Sequence, residues 1–283
     1  MNLWQRIFEL LTLRAAVPRV FGAFHITMLI LVAVVTSVLC VKFKNADKPT
    51  VRKILLSIWL VMVAGEVYHQ ICFAFSYGDG RLVFDYPWYK FPFQFCQAPL
   101  YALPFTVFLK EGELRGRFIA FLSSFSLFAG LAVIIYPSDL FVETVGVNLQ
   151  TMVHHGLQVV LGVYLSVRYR NLSSMRRFLS SIPIFAAFLG VALVLNLAAY
   201  RLIAENALDQ SFNMFFISPY FECTLPVLSD VYSAFPYPVF LAVYFLGFIL
   251  AAAVAYNLFR SLPLFVDYLQ RTGKIGKPRY SKR

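Results

Sequence analysis

Phe91-Pro92-Phe93-Gln94-Phe95-Cys96-Gln97-Ala98-Pro99-Leu100-Tyr101-Ala102-Leu103-Pro104-Phe105 is the stretch on which the reading of this chain turns. It is apolar enough to enter a bilayer. It nevertheless carries two glutamines, a thiol and three prolines. Each unpaired polar group in hydrocarbon costs several kcal/mol. Such a stretch is expected to line a cavity, and Cys96 becomes the reference depth for the rest of the chain.

The composition around it fixes the class. The 283 residues are 60% hydrophobic and 14% charged, with 30 Phe and 16 Tyr. Soluble domains are about 25% charged. The chain therefore reads as an all-α, polytopic transmembrane bundle. The net charge of +11 does not point to nucleic acid, because the charges sit in short loops and the tail between apolar runs.

A span needs roughly 20 apolar residues. Seven runs qualify: 20–41, 54–76, 92–109, 118–136, 149–167, 178–200 and 237–259. Residues 1–19 precede them. There Trp4, Ile7, Phe8 and Leu11 recur at helical spacing with Arg6 and Glu9 between them, as in an interfacial amphipathic segment ended by Pro18. Run 20–41 is too long for a signal-peptide core and is expected to be retained. A basic tail, 260–283, closes the chain. With seven spans, 19 of the 25 Lys and Arg fall on one side and 6 on the other. The positive-inside bias puts the N-terminus outside and the C-terminus in the cytoplasm.

Topology then gives depths. Cys96 lies about one turn below the outer end of the third span. His154 and His155 reach a similar depth in the fifth. His69, with Glu66 one turn deeper, comes from the second span, and His25 from the first. Asn196 joins them from the sixth. All four histidines thus fall in one outer-half layer with Cys96, and ionisable residues inside a membrane are functional candidates by default. Plainer readings stand beside this. His25 alone suits an interfacial side chain reaching headgroups. Glu66 and His69, at i and i+3, suit a structural pair. Cys40 and Cys72 suit small core residues. Cys72 and Cys223 both lie towards the outer side, where an oxidising compartment would allow a disulfide. Adjacent histidines point about 100° apart, so at least one of His154 and His155 faces inward. Gln150, Thr151, Gln158 and Gly162 continue a polar or small stripe around them.

A thiol near a helix start feels the positive end of the dipole. A neighbouring imidazole can take its proton, giving a Cys–His nucleophile pair. The first expectation is therefore acyl transfer or ester hydrolysis on a lipid or fatty-acyl substrate, through an acyl-cysteine. Cys96, His155 and His154 are the catalytic candidates. Glu66, His69, Gln97, His25 and Gln158 are the orienting or binding candidates. This chemistry calls for no cofactor. Two alternatives use the same residues: a metal held by the His/Cys layer, for which no HExxH-type pair is present, and a non-enzymatic transporter, for which no internal repeat is visible.

The pieces Pro92-Phe93-Gln94-Phe95-Cys96, His154-His155-Gly156 and Val163-Tyr164-Leu165 resemble the YwaF-type bacterial integral membrane proteins, relatives of the transmembrane protein 164 family. The resemblance implies cysteine-dependent acyl transfer on phospholipids, with a distant relation to intramembrane threonine hydrolases of fatty-acid esters. It implies Cys96 as nucleophile, one of the paired histidines as base, and a bacterial inner membrane location.

Overall fold

The computed structural model describes residues 3–78, 80–137, 140–170, 174–205 and 211–272. Each of the seven apolar runs lies on a helix: α2 (Ala23–Lys42), α3 (Lys48–Ala74), α4 (Ala98–Phe108), α5 to α6 (Glu113–Phe121 and Leu127–Ile135), α7 (Val145–Arg168), α9 (Ile182–Glu205) and α11 (Tyr237–Arg271); the short helices α8 (Met175–Leu179) and α10 (Leu228–Ala234) fall before α9 and α11. Five helices are long and apolar enough to cross a membrane: Ala23–Lys42, Lys48–Ala74, Glu113–Ile135, Met175–Leu202 and Tyr237–Ser261. The other two differ for physical reasons. α4 has only 11 residues, because the 3-10 turn Phe95–Gln97 precedes it and prolines break the stretch. α7 has 24 residues, but its buried polar side chains lower its apolar content.

α7 is the central helix and packs against α2, α3, α6 and α11. Its glycines let neighbours approach. A side chain at Gly156 would meet Val32 of α2, and one at Gly162 would meet Leu127 of α6. Small residues at helix contacts are how membrane helices associate, since lipid tails are as apolar as leucine and burial alone gives little drive. Aromatic packing fills the rest. Phe185 stacks on Phe125 at 4.6 Å and on Phe245 at 5.6 Å, and Phe248 joins them at 5.9 Å. Such pairs add about 0.5–1.5 kcal/mol each beyond burial.

Between α5 and α6 the chain passes through a π turn, Leu122–Ser126. α3 starts at Lys48 rather than at the first apolar residue, because the Asp47 side chain accepts from the Thr50 N–H and Pro49 sits in the first turn.

Several boundaries depart from the sequence reading. The amphipathic helix α1 (Leu3–Leu11) stops well before Pro18. Residues 13–15 instead pair with 143–145, through Ala15 N–H to Glu143 O at 2.9 Å and Val145 N–H to Leu13 O at 2.9 Å. The side chain of Trp4 lies outside the described residues. The loop after α3 opens with an antiparallel hairpin, β1 (Phe75–Gly78) and β2 (Arg81–Phe84), so the helical bundle carries one small sheet. Gly80, at φ +75°, makes the turn that other residues adopt only under strain. The tail expected from 260 is helical to Arg271, and residues 273–283 lie outside those described.

Candidate functional site

The Cys96 turn is pinned from both sides by its own sequence. Gln94 caps it: its N–H donates to Gln97 Oε1 at 2.7 Å, and its side chain accepts from the Gln97 N–H in return. Phe95 points the other way and meets Phe248 at 4.9 Å, with Phe185 and Phe215 beside it. Cys96 is thus held at the start of the helix that runs into α4, with Pro99 in the first turn.

α7 reaches the same turn. His154 and Gln158 lie one helical turn apart on one face, and both meet the carbonyl oxygen of Cys96, at 3.0 Å from Nε2 and 2.7 Å from Nε2 respectively. A carbonyl only accepts, so His154 carries its proton on Nε2 and its Nδ1 has a bare lone pair. His155 is tied differently. Its Nδ1 donates to Thr151 O at 2.8 Å, which leaves Nε2 bare. Neither His154 Nδ1 nor His155 Nε2 has a hydrogen-bond partner, and both atoms are buried.

α3 forms the opposite wall. Glu66 accepts from Gln97 Nε2 on both oxygens at 3.1 Å and from Gln70 Nε2 at 2.7 Å. His69 Nδ1 lies 3.8 Å from the same carboxylate. Gln70 also donates to Lys90 O at 2.9 Å and accepts from Tyr86 OH at 2.6 Å. Burial, then the nearby Glu66, push the Tyr86 phenol up to about 12, so it stays a donor. Burial pulls the Lys90 ammonium below its ordinary range, and Cys96 and Glu66 oppose that.

These residues surround one cavity of about 620 Å³, lined among others by Glu66, His69, Lys90, Cys96, His154 and His155. A segment from 211 to 224 covers it. Gln94 holds that segment through Asn213 O at 2.9 Å and Phe215 N–H at 2.8 Å. Asn196 holds it through Met214, accepting from N–H at 2.7 Å and donating to O at 3.0 Å. Phe215 and Phe216 sit at φ 58° and 57°, a left-handed conformation uncommon for bulky residues.

Of the residues singled out from sequence, Cys96, His154, His155, Glu66, His69 and Gln97 line this cavity. Gln158 supports the turn by its bond to Cys96 O. His25 does not line the cavity, which corrects its place among the orienting or binding candidates. Its Nδ1 accepts from Phe21 N–H at 2.9 Å and its Nε2 donates to Ile134 O at 2.8 Å, so it fastens the start of α2 to α6. Phe21, at φ 58°, turns the chain so that this N–H faces the ring. Cys72 and Cys223 are both free thiols. Cys72 faces Leu11 O at 3.7 Å, whereas Cys223 is buried in the main core cluster. Among the described residues no three His, Cys, Asp or Glu side chains converge as a metal site would require. Sequence reasoning missed Gln70, Lys90 and Asn213. Gln70 was detectable as the i+4 partner of Glu66. Lys90 lies just before the run 92–109, where helical periodicity gives no signal.

No curated protein and no solved structure matches the chain. The family model described as the TMEM164 family matches residues 20–259. With that match covering most of its length, this integral membrane protein belongs to the TMEM164 family.

Proposed function

We propose that the protein is a seven-span enzyme, N-terminus outside, that moves an acyl group from a lipid ester through Cys96. One observation carries the reading: Cys96 starts a helix in a cavity shared with two imidazoles, each left with a bare nitrogen by the bond its other nitrogen makes. His154 is the base of choice, because it already touches the Cys96 residue.

In the first step the Cys96 thiol gives its proton to His154 Nδ1. Sγ attacks the ester carbonyl carbon, the carbon–oxygen bond to the alcohol breaks, and the imidazolium returns the proton to the departing alkoxide. In the second step an alcohol of an acceptor, or water, attacks the acyl-cysteine. His154 takes the proton from that nucleophile and passes it to the leaving thiolate. The positive end of the Phe95–Phe108 helix faces the oxyanion that forms at each addition. A bacterial inner membrane is the setting that the family resemblance suggests.

The test is labelling with a lipid-like electrophilic probe, followed by mass spectrometry of the labelled peptide. Wild type should carry the probe on Cys96. Cys96→Ala should carry none, and His154→Gln and His155→Ala should label more slowly. Undiminished labelling of Cys96→Ala rejects the nucleophile, and a transporter would not label at all.

A further inference from the structure

Lys90 ends the 3-10 turn Trp88–Lys90, and its backbone is fixed at both ends. Its N–H bonds Pro87 O at 2.8 Å and its carbonyl accepts from Gln70 at 2.9 Å. Its ammonium lies 4.4 Å from the centre of the Phe73 ring and 5.4 Å from that of Tyr89. Among the described residues it is the only Lys or Arg that lines the Cys96 cavity. None of those residues gives the ammonium a hydrogen bond or an ion pair. The nearby Glu66 carboxylate is already committed to Gln97 and Gln70.

An ammonium at a cavity wall with no acceptor for its N–H donors offers them to an oxygen-rich anionic group that enters. The other charged lining residues, Glu66 and Glu222, repel an anion from the remaining walls. Lys90 is the lining ammonium that an anion would meet. The substrate that brings an ester to Cys96 has to fit the same cavity, so its negative group and its ester carbonyl are separated by no more than the cavity's breadth.

Resting on the acyl-transfer reading above, we propose that Lys90 binds a phosphate ester carried by the substrate and so positions the acyl carbonyl beside Cys96. Two sources supply that chemistry: the headgroup of a lipid, or the phosphate of a water-soluble acyl carrier.

The experiment measures binding rather than turnover. The full-length Cys96→Ala protein, which forms no acyl-cysteine, is examined by native mass spectrometry in neutral detergent. The probes are phosphatidylglycerol, an uncharged galactosyl diacylglycerol with the same chains, and phosphopantetheine. A charge-assisted hydrogen bond predicts about a tenfold preference for the phosphate-bearing probe over the neutral lipid. Adding Lys90→Met should abolish that preference, and Lys90→Arg should restore it. Circular dichroism of each variant checks that the helices are intact. Lys90-dependent retention of phosphatidylglycerol assigns the headgroup, and of phosphopantetheine the soluble carrier; either supports phosphate recognition. Equal retention of charged and neutral probes, or a preference untouched by Lys90→Met, overturns it. Because Cys96 is absent throughout, failure of the nucleophile assignment shows only in the labelling experiment, and failure of the phosphate site only here.

Discussion

His154 meets Cys96 through the backbone: its Nε2 lies 3.0 Å from the Cys96 carbonyl oxygen. The contact fixes two things together. It sets the orientation of the turn that carries the thiol, and it sets the tautomer that leaves Nδ1 free. Position and basicity therefore separate in a single substitution. His154→Gln keeps an amide N–H for the carbonyl but has no nitrogen that accepts a proton. Acyl-cysteine formation should fall by about 10²–10⁴-fold, the usual contribution of a general base, while the melting temperature stays near wild type. His154→Ala should lose both. Rate and thermal unfolding measured on the same preparations check this, and a Gln variant with wild-type rate would remove His154 as base.

Gln158 supports the same oxygen from below at 2.7 Å and is fully buried. Gln158→Leu removes that donor while His154 keeps the carbonyl satisfied. The expected loss is about 1 kcal/mol of stability, with a smaller effect on rate than His154→Gln. If the rate instead falls further than in His154→Gln, Gln158 has a part in the chemistry that its backbone contact does not describe.

Most of the bundle was legible because hydrophobic runs and loop charges are local signals. Each of the seven runs falls on a helix, and the shortest is the one broken by Pro99 and Pro104. The candidate site was legible in depth but not in azimuth. Helical rise places His25, His69, His154 and Cys96 at similar levels, but only rotation and packing decide which face the cavity. His25 failed on that count, since Phe21 turns the chain and gives the ring a local N–H. Lys90 and Asn213 were hidden for a different reason. They sit on irregular segments, where no periodicity says which way a side chain points. The hairpin was missed because Phe75 and Ser76 read as the end of the apolar run 54–76, whereas they open a strand that Gly80 turns back.

Glu66 gathers the α3 wall onto the Cys96 turn. Gln97 donates to both of its oxygens, and Gln70 ties it to the Lys90 backbone. Glu66→Leu leaves the buried Gln97 Nε2 without an acceptor and Gln70 with the Lys90 carbonyl alone. The expected cost is about 1–3 kcal/mol, read as a fall in melting temperature, together with slower labelling of Cys96 as the turn loosens. Glu66→Gln offers one acceptor oxygen and should lie between Leu and wild type. Equal stability of all three proteins would mean that the network adds nothing to the fold.

Asp47 lies outside the membrane-spanning helices and caps α3. The hydrogen bond from Thr50 holds its carboxyl below the usual 3.8. A depressed native value contributes stability that is present above the unfolded value and is lost as pH falls through the native one. Melting temperature should therefore drop below about pH 4, and more steeply in wild type than in Asp47→Asn. Parallel curves would show that the cap does not feel protonation.

At Gly130, α6 packs closely against His155 and Gln158 of α7. A side-chain carbon there would lie 2.7 Å from His155 O and 2.8 Å from Gln158 Cβ. Neither neighbour can yield cheaply, since one is backbone and the other is the root of a buried side chain. Gly130→Val should therefore push α7 away from α6, at about 1–3 kcal/mol of overpacking. The displacement reaches Cys96 through Gln158 and His154, so acylation should slow although no reacting group has changed. Gly130→Ala should show the same pair of effects, smaller in both. Gly190, on α9, has nothing within 4 Å of the equivalent position. Gly190→Ala should be neutral or, by helix propensity, slightly stabilising, and a loss there equal to that at Gly130 would mean that the close approach at α7 is not what limits packing.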